Sequence, residues 1–337
     1  MQSDSINSRF AGLIAAFASK RVLVIGDLML DEFIWGKVSR ISPEAPVPIV
    51  NVTGESYYPG GAANVARNIR EFTPHVSALG MVGSDANGLR LLQLLQASGI
   101  DIAPIECNES VPTTVKTRII ARNQQVVRVD REQKTRLTGR QVARVLELAD
   151  SSIEGCDAIV VADYGKGFLT QEMADHICER ARKLGKTLTV DPHPHTSLQW
   201  RGATAIKPNR AEAFIAAGLP ASDPVEPPLK DEALIEAGKT LLRRWESHHL
   251  LITLGEQGML LLTTGEEPYY TPTRAQEVFD VSGAGDTAIS VFTLALASGA
   301  DAKAAAELAN CASGIVVGKL GTATVTVAEL QASCLRI

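Results

Sequence analysis

The chain predicts an α/β fold: a mostly parallel central sheet with helices on both faces, plus a small antiparallel β lid at its edge. Three observations carry that expectation. Short apolar runs of strand length alternate with helical periods along nearly all of the 337 residues, as βα units that cover both faces of a sheet require. Two stretches, 33–58 and 111–129, break the alternation with β-prone residues and no helical period, so they read as strands outside the main sheet. A hydrophobic content of 45% is ample for a buried core.

Taken in order, an amphipathic helix around Leu13–Phe17 precedes a strand over Arg21–Gly26. A helix over 62–72, a strand over 76–82 and a helix over 87–97 follow, then a strand over 158–162. Next come a helix over 171–183, strands over 187–191 and 203–206, helices from Ala211 and across 232–246, and a strand over 250–254. The first interruption carries Pro43, Pro46 and Pro48, and the second turns as a hairpin if Asn123-Gln124-Gln125 reverses the chain. A sheet of so few strands leaves one face to be covered by a ligand, the main body or a second subunit. Residues 219–228 are rich in proline but short, so they read as a surface loop within one domain spanning 1–337.

A formal net charge of −5 argues against nucleic acid or an anionic membrane as the main partner, so an anionic ligand must be held locally. The five cysteines, Cys107, Cys156, Cys178, Cys311 and Cys334, are odd in number and widely spaced, as reduced thiols of a cytoplasmic protein are. No apolar run approaches the roughly 18 residues that span a bilayer, and the N-terminus lacks the basic-then-apolar order of a signal peptide.

The segment Phe279–Thr287, FDVSGAGDT, opens a helix of small residues with a glycine-rich turn. The N–H groups of Gly283, Ala284 and Gly285 would lack intrahelical partners there, and the helix dipole adds partial positive charge, which makes an anion hole. Asp286 inside such a hole reads as a base acting on a hydroxyl. The same letters satisfy the dinucleotide fingerprint, but that motif needs further strands after its helix, and the remaining sequence reads as helices and a tail.

Asp27 and Asp31 follow the first strand, where a carboxylate either accepts sugar hydroxyls, each bond contributing on the order of 1.5 to 3 kcal/mol, or caps a turn. Gly60-Gly61 and Asn64 open the next helix, suited to close ligand approach or to a local turn. Lys116, Arg118 and Arg122 share one face of an extended segment, which Arg128 would join across the hairpin; a second phosphate or a solvated charged face accounts for them. Asp163-Tyr164-Gly165-Lys166-Gly167 offers Lys166 as a cation free to reach the site. His193 and His195 invite a metal, but no further ligands accompany them. Asn209 and Glu212 form a capping-box pattern, and Thr253-x-Gly255-x-x-Gly258 makes a corner against which a nucleotide can lie.

Gly60-Gly61-x-x-Asn64 and Asp280-x-x-Gly283-Ala284-Gly285-Asp286 resemble, in order and separation, the two signatures of the ribokinase-like (PfkB) carbohydrate kinases. Asn209-x-x-Glu212 resembles that family's N-x-x-E motif. Within the family, GDLMLDEFIWG, ADYGKGFLT, VFDVSGAGDT and AELANCASGIVVGKLGTATV resemble the kinase module of heptose 7-phosphate kinases that supply ADP-heptose for the lipopolysaccharide inner core. His193 stands where many relatives carry lysine.

The resemblance implies a ribokinase-like fold and transfer of the ATP γ-phosphoryl group to the anomeric hydroxyl of D-glycero-β-D-manno-heptose 7-phosphate. Asp286 would be the base, with the Gly283, Ala284 and Gly285 amides on the moving phosphoryl group. Asp31, Gly60, Gly61 and Asn64 would hold the sugar ring, and Lys116, Arg118, Arg122, Arg128 and Lys166 are the pool for the 7-phosphate clamp. Asn209, Thr253, Gly255, Gly258 and Asn310 would bind ATP, and Mg2+ would sit near Glu212 through water. The resemblance further implies a cytoplasmic homodimer paired through the lid, and the end at Ile337 reads as a stand-alone kinase. A kinase for another sugar phosphate, such as fructose 6-phosphate, and a non-catalytic sugar-phosphate sensor are the alternatives.

Overall fold

The computed structural model describes residues 2–334 except 123, 135, 276 and 320, and for 2–8 the backbone only. The chain begins with α1 (Gln2–Phe17), β1 (Val22–Gly26), β2 (Leu28–Ile41), β3 (Pro48–Gly61), α2 (Ala62–Arg70), β4 (Val76–Gly83), α3 (Ala86–Ala97) and β5 (Ile105–Asn108). It continues through β6 (Thr114–Ala121), β7 (Gln124–Arg131), α4 (Gly139–Gly155), β8 (Ala158–Ala162), α5 (Gln171–Lys183), β9 (Thr187–Asp191), β10 (Ala205–Ile206) and α6 (Arg210–Ala217). After these stand α7 (Glu232–Trp245), β11 (His249–Thr253), β12 (Met259–Thr263), β13 (Tyr269–Thr271), α8 (Ala284–Ala297), α9 (Ala302–Val316) and α10 (Val327–Cys334).

Among the described residues, nine strands form one sheet in the order β13-β12-β11-β10-β9-β8-β1-β4-β5. From β11 to β5 every pairing is parallel, and β12 and β13 finish the edge antiparallel. Strands β1 and β8 are apolar at every position because both faces are covered: Val22, Val24, Val160 and Ala162 pack beneath α1, α2, α8 and α9, whereas Leu23, Ile25, Ile159 and Val161 pack beneath α4, α5 and α7. The mostly parallel α/β architecture is therefore the one expected.

The second sheet, in the order β3-β2-β6-β7, is the lid. Two antiparallel hairpins, β2–β3 and β6–β7, are joined by a parallel pairing of β2 with β6. Its strands reach further than 33–58 and 111–129. Leu28, Met29 and Leu30 are buried where lid meets body, and they pair with Gly61, Gly60 and Pro59, so the lid grows directly out of the ends of β1 and α2. The β6–β7 hairpin forms, but Gln124 and Gln125 already belong to β7, paired with Ala121 and Ile120, so the chain reverses earlier than expected; Asn123 lies outside the described residues. No described helix is long and apolar enough to cross a membrane, and among the described residues no strand follows Gly283, which removes the dinucleotide alternative.

Candidate active site

The carboxyl ends of β1, β8, β9, β10 and β11 deliver Asp27, Asp163, Asp191, Lys207 and Thr253 to one rim of the sheet, and the first turn of α8 descends onto that rim. Gly283, in the left-handed region at φ 82°, starts this helix without any side-chain cap. Asp280 Oδ1 accepts the Ser282 N–H at 2.9 Å, and the turn closes when the Ala284 N–H donates to Val281 O at 3.2 Å. Ala284 is thus occupied, a departure from the expectation of three open amides: the tight turn that launches the helix consumes one of them. Among the described residues the N–H groups of Gly283 and Gly285 have no partner.

Asp286, one position further on, accepts from Asn64 Nδ2 on Oδ2 and from the Tyr164 hydroxyl on Oδ1, each at 2.6 Å. Withdrawal from water pushes its pKa up, and the bonds from Tyr164 and Asn64 pull it back. Asn64 is buried, with its Oδ1 unpartnered among the described residues. Helices α2 and α8 are pinned at this height by Thr287 Oγ1 donating to Asn68 Oδ1 at 2.7 Å, while Asn68 Nδ2 donates to Asn64 O at 2.9 Å.

On the lid side, Asp31 and Arg118 form a buried ion pair at 2.5 Å, so Arg118 is not a free phosphate cation. Gly60 lies against that carboxylate, and a Cβ there would stand 2.5 Å from Asp31 Oδ2. Gly61, at φ 58°, lets β3 turn into α2. Lys116 points over the Tyr164 ring, its ammonium 5.9 Å from the centroid, and among the described residues it has no ion-pair partner. Partial burial, with Lys166 and Arg128 nearby, lowers its pKa. Arg128 stands directly across from Arg118, as the hairpin predicts, and chelates Asp130 at 2.8 and 3.0 Å. Lys166 is not free: it pairs with Glu132 at 2.5 Å, just past the end of β7. Arg122 departs most. Strand β6 ends at Ala121, so Arg122 falls in the turn at φ 51°, exposed at the hairpin tip and donating to Val38 O at 3.2 Å.

On the opposite side, Asn209 and Glu212 make both bonds of the capping box at the start of α6, 2.9 Å to the Glu212 N–H and 2.7 Å to the Asn209 N–H. Asn209 bridges to Thr253, and the corner closes where Leu254 N–H donates to Gly258 O at 2.8 Å, with Gly255 exposed at its tip. Asn310 joins this group from behind rather than lining it. It is buried, and its amide donates to Thr271 Oγ1 at 2.9 Å and Pro272 O at 2.6 Å, bracing the segment on which Gly258 rests.

The sequence reading named neither Tyr164, Lys207 nor Asp191 as site residues. Lys207 is buried and holds Asp191 at 3.0 Å, and its ammonium rests beside Gly285 at the mouth of the anion hole. Burial pushes Asp191 up to about 7 against the pull of Lys207, with Glu212 and Asp286 adding to the rise. Burial lowers Lys207, but Asp191 and Glu212 outweigh it and the net shift is upward. The signal for Asp191 and Lys207 was a charged residue at the end of a buried strand, and Tyr164 follows another, Asp163. Among the described residues no three acidic, histidine or cysteine side chains stand close enough to cage a metal. The donor chemistry still fits Mg2+: Asp191 and Glu212 share the Lys207 ammonium, and a hydrated divalent cation suits that excess of negative charge.

Known proteins resemble the chain in sequence and in fold. Residues 19–329 match the pfkB family carbohydrate kinases. The bifunctional protein HldE of Desulfatibacillum aliphaticivorans is 44% identical over 98% of this chain and 66% of its own length, and that of Geobacter sulfurreducens is 42% identical over 99% and 66%. The chain spans about two thirds of the length of these curated relatives. Arabidopsis thaliana ribokinase, complexed with ribose and ATP, superposes with a TM-score of 0.69 at 16% identity over 94% of this chain and 98% of that one. Escherichia coli phosphofructokinase-2, in complex with substrates and products, gives 0.74 at 18% over 94% and 99%.

Proposed function

The chain belongs to the pfkB family and is a carbohydrate kinase, and we propose that it transfers the γ-phosphoryl group of ATP to the anomeric hydroxyl of D-glycero-β-D-manno-heptose 7-phosphate. The product would be the 1,7-bisphosphate, made in the cytoplasm for ADP-heptose and the lipopolysaccharide inner core. One observation carries the chemistry: a recessed carboxylate, Asp286, shares the first turn of α8 with two unpaired amides. The heptose-type segments and the 44% identity to HldE support the choice of sugar.

Asp286 takes the proton as the sugar oxygen bonds to phosphorus and the bond from phosphorus to the bridging oxygen of ADP breaks. The Gly283 and Gly285 N–H groups hold the charge gathering on the phosphoryl oxygens, where one such donor is worth roughly 3 to 4 kcal/mol. Lys207, beside Gly285, adds a fixed positive charge. The Asn64 Oδ1 acceptor and Asp31 hold ring hydroxyls, and Gly60 and Gly61 allow the ring close to the backbone. Lys116 leads the 7-phosphate clamp, while Lys166 and Arg128 stand nearby but are paired with Glu132 and Asp130; Arg118 fixes Asp31 and Arg122 stays outside. ATP lies along Asn209, Thr253, Gly255 and Gly258. Glu212 and Asp191 would hold Mg2+ through water, where the ion would supply positive charge against the phosphates. The lid closes over the sugar to exclude water and pairs with a second copy.

The discriminating experiment compares heptose 7-phosphate, fructose 6-phosphate and ribose as acceptors. The reading expects kcat/KM to be highest for heptose 7-phosphate, and a value no better than for the hexose phosphate would overturn the choice of sugar.

A further inference from the structure

The loop after β8 is built to present one hydroxyl. Gly165 and Gly167, at φ 68° and 88°, turn it, and the buried Asp27 carboxylate gathers its N–H groups from Tyr164 at 2.9 Å, Lys166 at 3.2 Å and Phe168 at 3.3 Å. Asp163 takes the Gly165 N–H at 2.8 Å and the Thr196 hydroxyl at 2.6 Å. Asp27 therefore serves the loop and not the sugar. From this fixed base the Tyr164 hydroxyl reaches Asp286 Oδ1 at 2.6 Å, while Asn64 holds Oδ2.

We propose that Tyr164 is a positioning residue for Asp286: anchored through Asp27, its hydroxyl fixes the plane of the carboxylate and holds it in the ionised form that accepts a proton. The proposal deepens the kinase reading and rests on it. Two strong donors favour the anion, because a protonated carboxyl must use one oxygen as a donor and gives up acceptor capacity. Each carboxylate oxygen keeps a second lone pair, so the sugar hydroxyl need displace neither neighbour.

The groups facing Asp286 come from five directions: Asn64 on α2, Tyr164 on the β8 loop, Lys207 beyond β10, Asp31 on β2 and Asp191 at the end of β9. The first three favour the charged form, and burial with the two aspartates opposes it. Tyr164 does not become the base itself. Burial and the Asp286 charge raise its own pKa well above that of an ordinary phenol, so its proton stays on oxygen while the sugar proton moves to Asp286.

Tyr164→Phe keeps the ring and removes the hydroxyl. Raising the Asp286 pKa means the base stays protonated to higher pH, so the acidic limb of kcat/KM moves to higher pH. Turnover at neutral pH falls about tenfold, the scale of one lost bond to a charged acceptor, and KM for ATP is unchanged. Site-specific 3-fluorotyrosine at 164, a more acidic donor, moves the limb to the wild-type position or below it. Infrared difference spectra against Asp286→Asn follow the Asp286 carboxyl band through the same titration without turnover. A limb and a band that stay put in Tyr164→Phe overturn the proposal, as does a 3-fluorotyrosine variant that titrates like phenylalanine. If the wild type phosphorylates no sugar, the kinase substrate fails while the infrared titration still decides the role of Tyr164.

Discussion

At the scale of the residue, the site divides charges that are spent from charges that are available. Asp31 and Arg118 cancel one another, and Asp27 is occupied by backbone; Asp286 and Lys116 keep open chemistry. Asp286→Asn preserves shape and removes the proton acceptor, so turnover should drop at least about a hundredfold while sugar binding, measured by calorimetry, persists. Turnover close to wild type would remove Asp286 from the mechanism. Lys116→Met should raise KM for the phosphorylated sugar about tenfold, the worth of one charge-assisted contact, with little change for ATP. Arg122→Ala, at the tip, serves as its control and should leave both constants alone. Equal effects from the two substitutions would contradict the clamp drawn here.

At the scale of the element, α8 shows what a sequence discloses and what it hides. Its start was legible because Gly-Ala-Gly-Asp before an apolar run has few structural uses, and the ends of β1, β8, β9 and β10 were legible because each apolar run stops at a charge. That the turn uses the Ala284 amide was hidden, since it depends on how Val281 folds back. That Arg122 falls in the turn rather than on the strand face was hidden for the same reason: where β6 stops is set by its pairing with β7, which local letters do not encode. Asn310 was legible as polar in an apolar helix but not as a brace, because its partners lie 38 and 39 residues away. The αL conformation of Gly283 gives a direct test. Gly283→Ala adds about 1–2 kcal/mol of backbone strain and places a Cβ 3.2 Å from Asn64 Nδ2. Thermal unfolding should report that loss, and turnover should fall further than stability explains because the Asn64 bond to Asp286 is disturbed. A variant with wild-type melting and rate would show that the turn tolerates another geometry.

At the scale of the whole molecule, the two sheets meet different fates. The large sheet is covered on both faces, whereas the lid has four strands, a 14-residue edge strand in β3, and apolar side chains left in solvent. Thr117 pairs with Val129 and Ile119 with Val127, so these valines share the face opposite Arg118 and Arg128, and they are 42% and 44% exposed. A thin sheet with an open apolar face is a poor free-standing unit, and burying Val127 and Val129 against a second lid would contribute on the order of 1.5 to 3 kcal/mol for each fully covered side chain. A homodimer through the lids is the expected state. Light scattering should give about twice the 35.9 kDa chain mass, and Val127→Lys with Val129→Lys should return the monomer, since two like charges would face their symmetry mates in a desolvated interface. Cutting the dimer this way leaves Lys116 and Asp31 on the other face, so a loss of sugar affinity in the monomer would mean that closure of the lid depends on its partner. A wild type that stays monomeric at concentrations well above those of the assay would show that the exposed valines serve something other than self-association.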